Sequence, residues 1–168
     1  MAALEELKLD RLFIVPAKQS PFKPDKKPAN ANMRVRLLRL AFAGNNRCEI
    51  DTQELKRDGV SYSIDTIINF SRLFPEAKLY YLIGADHILT LPKWREAKRL
   101  ANLVDFVVVP RPRQKAAEFP KPFRGQSLNG WPFEVSSSVI RQRLAIGLPI
   151  DDLVPAHVAA DLKKNNPY

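Results

Sequence analysis

The 168 residues predict an α/β fold with a doubly wound parallel sheet, and three observations carry that prediction. Short apolar runs alternate with segments of helical spacing, the pattern of repeated βα units. Two of those runs, "KLYYLIG" at 78–84 and "DFVVVP" at 105–110, are nearly continuous, as strands become when helices cover both faces of a parallel sheet. Polar residues follow the carboxyl ends of the apolar runs, where sheets of this kind collect ligands.

Taken in order, "AALEELKL" reads as the tail of a helix and "RLFIV" as a buried strand stopped by Pro16. The loop "PAKQSPFKPDKKPANAN" is broken by prolines and reads as a lid or substrate loop, since it is too short to link domains. "MRVRLLRLAFAG" places Val35, Leu38 and Phe42 at helical spacing, with Gly44 as its stop. "RCEI" is a short strand, and "SIDTIINFSRLF" a helix opening on Ser61 or Ser63. "PKWREAKRLANL" is the crossover helix between the two clear strands. "PFEV" is a last strand, "SSSVIRQRLAIG" a helix, and "PAHVAADLKKN" a closing helix begun by Pro155. There is no internal repeat, so residues 1–168 read as a single domain.

Composition narrows the function. The single cysteine, Cys48, excludes an internal disulfide and permits a reducing compartment. Acids precede the first apolar run, which is not the order of a signal peptide, and no stretch has the length of a membrane span. A cytoplasmic protein is the expectation. The net charge is +9, and residues 1–40 hold nine Lys or Arg against four acids, a net of +5. That excess suits a polyanion or a nucleoside triphosphate, and equally a well-solvated surface. Nucleic acid is disfavoured, because no basic run is interleaved with aromatics.

Four strand ends offer groups that suit a nucleotide: Lys18 and Lys23 after the first, Gly84 and Asp86 after "YYLI", Arg111 after "FVVV", and Ser136, Ser137 and Ser138 after "FEV". The serines admit two readings. They cap the orphan N–H groups of a first helical turn, or they seat phosphate there with Arg141 one turn inside. Trp94 by itself reads as core, Ser63 as a helix cap and Tyr62 as packing. His87 and His157 lack a Cys/His cluster or a nucleophile pattern, so they read as structural or solvent-facing.

Several segments together resemble the nicotinate-nucleotide adenylyltransferases of the nucleotidyltransferase superfamily. "VSSSVIRQRL" is similar to that family's ISSTxxR motif, with Val135 for Ile and Ser138 for Thr. "IGADHILTLPKW" matches GADxxxxLPxW at every fixed position, and "SYSIDTI" resembles SYTxDT with Ser63 for threonine. "VVVPRP" and "LVPAHVAADL" agree in order and spacing. The resemblance implies a Rossmann-like nucleotidyltransferase fold and adenylyl transfer from ATP, with Mg²⁺, to nicotinate mononucleotide. Ser137, Ser138 and Arg141 would hold the ATP phosphates. Gly84 would admit the nucleotide close to the backbone, and Asp86 would accept from sugar or ligand donors. Trp94 would stack on the nicotinate ring, Ser63 would bind its carboxylate, Lys23 would reach phosphate, and Arg111 would serve the same pocket. A homo-oligomer is compatible with this reading, and no membrane is involved.

Two departures stand out. The family's GGxFDPxHxGH segment, which cradles the α-phosphate, is absent from these residues, and "QSPFKP" has Phe22 where the family places a histidine. Weak or no transfer is expected of the chain as written. Its sheet is expected to lack a central strand between "RLFIV" and "KLYYLIG", leaving two raw edges or a gap, with an incomplete N-terminus favoured over a degenerate copy. Two alternatives remain open: a sibling enzyme using nicotinamide mononucleotide or pantetheine phosphate, or a noncatalytic nucleotide- or nucleic-acid-binding remnant.

Overall fold

Parallel pairing organises the chain. In the computed structural model, which describes residues 1–22, 28–110, 117–130 and 135–165, β1 (Leu12–Ile14) pairs with β2 (Cys48–Ile50). A second sheet holds β3 (Tyr80–Gly84), β4 (Asp105–Val109) and β5 (Gly125–Ser127) in that order, and every ladder in both sheets is parallel. Among the described residues β1 and β3 each have one ladder partner. β1 and β3 thus fall in separate sheets. The fold is mixed α/β with parallel sheets.

The helices are α1 (Ala2–Glu6), α2 (Ala31–Ala41), α3 (Gln53–Lys56), α4 (Ser63–Leu73), α5 (Ala97–Leu103), α6 (Ser137–Ala145) and α7 (Ala156–Asn165). Asn30 opens α2 by accepting from the N–H groups of Asn32 and Met33, as a short amide side chain does best. Alternation along β4 sends its side chains to two different cores. Phe106 and Val108 meet Ile64 and Ile67 of α4 and Leu100 of α5, while Val107 turns to Ala3 and Leu128. A third cluster joins Leu144 to Val158, Ala159 and Leu162 of α7, with Leu37 and Leu40 of α2 against it.

Three expectations need correction. The crossover over 92–103 is not one helix. A 3-10 segment spans Ala85–Lys93, Trp94 is extended at φ −72°, ψ 151°, and α5 starts only at Ala97 after Glu96 adopts φ 49°. Pro92, without an N–H and with its ring against the preceding turn, denies an α-helix at this point. The third strand of the second sheet is β5, which periodicity missed because its residues are polar and exposed. Most of the expected strand "PFEV" lies outside the described residues, and Val135 is not in a strand. The four-residue α3 was also not foreseen.

Candidate active site

Two separate groups of side chains stand out, one against β3 and β4 and one at the start of α6. The first surrounds Trp94. The break between the 3-10 segment and α5 releases this residue from helical geometry and turns its ring toward β3 and β4. Tyr81 of β3 meets it edge-on at 5.8 Å between centroids and 83°, and Phe106 of β4 at 6.3 Å and 86°. His87 stands at 5.9 Å and Phe22 at 5.8 Å, so loop and 3-10 segment complete the enclosure. Edge-to-face rings are attractive because the positive rim of one meets the negative face of the other. The indole Nε1–H donates to Thr90 Oγ1 at 3.4 Å. Trp94 stays half-buried, and Phe22 is 50% exposed above it, so the corner opens to solvent.

Ser63 belongs to the same corner. It is the first residue of α4, and the capping position before it is Tyr62, which makes no side-chain cap bond. The helix's positive end and its first N–H groups thus lie beside the Ser63 hydroxyl. That hydroxyl is 2.7 Å from the Tyr81 hydroxyl. Burial is the main force pushing the Tyr81 phenol above its ordinary value; its bond to Ser63 opposes this, and the Glu54 carboxylate adds to it. Tyr81 therefore keeps its proton throughout the neutral range. Beneath it, buried Glu54 accepts from Thr66 Oγ1 at 2.6 Å, and Arg57 donates to the same threonine. The Arg95 guanidinium lies over Tyr62 at 4.6 Å, which bears out the packing role expected of that ring.

The second group surrounds the start of α6. Ser136 is the cap, accepting from Val139 N at 3.2 Å. This one serine meets the capping need, so Ser137 and Ser138 are left for other partners. Arg141 Nη2 donates to Ser138 Oγ at 3.2 Å, which places the guanidinium over the first turn. Ser137 and Arg141 line a cleft of about 600 Å³ with Pro16, Arg34 and Pro155, floored by Ile14, Leu37 and Val158. Arg34 was not singled out by sequence. Its Nε and Nη1 donate to the carbonyls of Ala29 at 3.0 Å and Ala17 at 2.8 Å, which fixes the head of the loop beside the cleft.

The other candidates fall out as follows. Gly84 ends β3 at φ −77°, a conformation open to any residue, so backbone freedom does not call for glycine there. Asp86 is exposed in the first turn of the 3-10 segment, 3.9 Å from His87 Nε2. Lys23 and Arg111 lie outside the described residues. Ser63 does not serve as a cap, and Tyr81, hidden in an apolar run, was missed. The signal was available: a phenol within a buried strand needs a polar partner. Among the described residues no three His, Cys, Asp or Glu side chains are grouped to hold a metal. No described helix is long and apolar enough to cross a membrane.

The cytidylyltransferase-like family matches residues 1–143. The chain belongs to that family. A Bacillus licheniformis protein named "Probable nicotinate-nucleotide adenylyltransferase" is 35% identical over 166 residues, covering 98% of this chain and 86% of the relative. The nicotinate-nucleotide adenylyltransferase of Bacillus subtilis is 34% identical over 160 residues, covering 95% of this chain and 83% of that one. Within the family, then, the chain stands among the nicotinate-nucleotide adenylyltransferases, which are transferases. The fold is shared with the Plasmodium falciparum nicotinic acid mononucleotide adenylyltransferase complexed with NaAD, at a TM-score of 0.71 and 19% identity over 94% of this chain and 82% of the other.

Proposed function

We propose that the two groups are the two halves of a site for adenylyl transfer from ATP to nicotinate mononucleotide, giving deamido-NAD and pyrophosphate. The observation that carries this reading is the aromatic corner beside β3. There a half-buried indole and a hydroxyl at a helix N-terminus are joined through one tyrosine, so a flat ring bearing an anionic group finds both a π-face and donors. Trp94 stacks on the pyridine ring and Ser63 donates to its carboxylate. Ser137, Ser138 and Arg141 take the triphosphate at the positive end of α6. Gly84 at the end of β3 and Asp86 just after it meet the nucleotide; the resemblance assigns Lys23 to phosphate and Arg111 to the same pocket.

In the reaction a phosphate oxygen of the mononucleotide forms a bond to the α-phosphorus of ATP, and the bond from that phosphorus to pyrophosphate breaks. The protein's part is to align the two and to stabilise charge. Mg²⁺ would be held largely by the phosphate oxygens and water, and would supply charge shielding there. No HxGH occurs among the 168 residues, and transfer by these residues alone is proposed to be slow. Losing even one such donor costs about 10²–10³ in rate.

Binding is therefore the measurement that tests the reading. Titration calorimetry of the chain with ATP, and separately with nicotinate mononucleotide, is expected to give one saturable site for each. Absence of saturable nicotinate mononucleotide binding sinks the proposal. Binding of single-stranded oligonucleotide that falls steeply with salt, without mononucleotide binding, would favour the polyanion-binding alternative.

A further inference from the structure

We infer that Tyr81 is a specificity-determining positioning residue, which orients the Ser63 hydroxyl so that it offers a proton to an anionic acceptor ring substituent. The inference rests on the acceptor reading above and names the group that sets its preference for acid over amide. A serine hydroxyl has one proton and two lone pairs, and which of them faces a ligand depends on its other partner. Here the other partner is a phenol 2.7 Å away, and a phenol is a stronger donor than an aliphatic alcohol. With Tyr81 donating to Ser63 Oγ, the serine proton is the one left to point outward.

The surroundings hold this polarity. The Tyr81 ring is wedged between Trp94 at 5.8 Å and Phe106 at 6.0 Å, so the phenol oxygen cannot swing to another partner. The Glu54 carboxylate beneath opposes loss of the phenolic proton, as does burial. Glu54 Oε1 itself accepts from Thr66 Oγ1 at 2.6 Å. The same tyrosine touches Trp94, so one side chain sets both the ring platform and the donor beside it. A carboxylate receives a charge-assisted hydrogen bond from Ser63, whereas a carboxamide receives a neutral one of about half the strength. Tyr81 thereby biases the corner toward the acid.

The test is a double-mutant cycle read as an affinity ratio. Nicotinate and nicotinamide mononucleotides are titrated separately into the wild-type chain, Tyr81→Phe, Ser63→Ala and the double variant. Tyr81→Phe keeps the ring and removes only the hydroxyl. It is expected to weaken the acid about five- to tenfold, the size of one lost hydrogen bond, and the amide only about two- to threefold. Ser63→Ala should lower the acid-to-amide ratio similarly, and the double variant should lose little more than either single one. A wild-type ratio preserved in Tyr81→Phe, or losses that simply add in the double variant, overturns the inference and leaves the acceptor reading standing. Failure of the wild-type chain to bind the acid overturns that reading, and the inference with it. Circular dichroism of each variant checks that the change in ratio is not a change in fold.

Discussion

The aromatic corner beside β3 and the cleft beside α6 are built on opposite plans. In the corner, Trp94, Tyr81, Phe106 and Ser63 are held by one another and by a buried core, so the geometry exists before any ligand arrives. In the cleft, Ser137, Ser138 and Arg141 are all exposed, and what defines the place is a helix end on an apolar floor. The difference follows from the ligand each suits. A flat ring is recognised by shape, which demands rigid walls. A triphosphate is recognised by charge, which acts over several ångströms and tolerates mobile side chains.

Replacing the residue that supports the corner should have the largest effect. Phe106 is fully buried and touches Tyr81, Trp94, Phe119 and Phe123, so Phe106→Ala is expected to cost about 3–5 kcal/mol in urea unfolding. A cost below about 1 kcal/mol would show that the corner is not held from beneath. Next comes Trp94→Ala, expected to weaken nicotinate mononucleotide by about 1–3 kcal/mol, roughly five- to 150-fold, while ATP binding stays within twofold. Equal losses for both ligands in calorimetry would erase the division between the two regions.

Arg141→Ala tests the other side. Its group is exposed, so ATP should weaken by only about 1 kcal/mol, roughly fivefold, and less at high salt, with the mononucleotide unaffected. The smallest effect concerns a tie remote from both. The Glu6 carboxylate accepts from the backbone N–H groups of Gly130 at 2.7 Å and Asn129 at 2.8 Å, and these bonds hold its carboxyl below the usual range. A depressed carboxyl stabilises the fold fully above about pH 4.3, the unfolded value, and progressively less as pH falls below it. The difference in urea midpoint between wild type and Glu6→Gln should therefore shrink from pH 7 to pH 3. A constant gap would mean that the carboxylate charge contributes nothing there.

Much of the fold was readable because hydrophobic spacing is a local property. The runs "KLYYLIG" and "DFVVVP" became the paired strands β3 and β4, and the serines before "VIRQRL" became the start of α6. What was unreadable involved competition between local signals and distant partners. The segment "PKWREAKRLANL" has good helical composition, yet Pro92 and the packing of Trp94 on β3 and β4 cut it in two. The residues "GQS" carry no apolar pattern, yet backbone pairing with β4 alone makes them a strand. Of the site, the serines, Trp94 and Ser63 were visible through motif spacing, whereas Tyr81 and Arg34 were not, because each gains its place only through contacts across the fold.

By itself the amino-acid order determined the alternation of elements, the basic balance of the first forty residues and the position of a serine-capped helix, since all three depend on near neighbours in the chain. Only the tertiary structure decided that Ser136 caps and its two successors do not, that β1 and β3 fall in separate sheets, and that Ser63 answers to a tyrosine eighteen positions away. A hydroxyl has the same composition wherever it stands. Its chemistry is set by the direction of one proton, and that direction belongs to whichever group the fold brings within hydrogen-bonding distance.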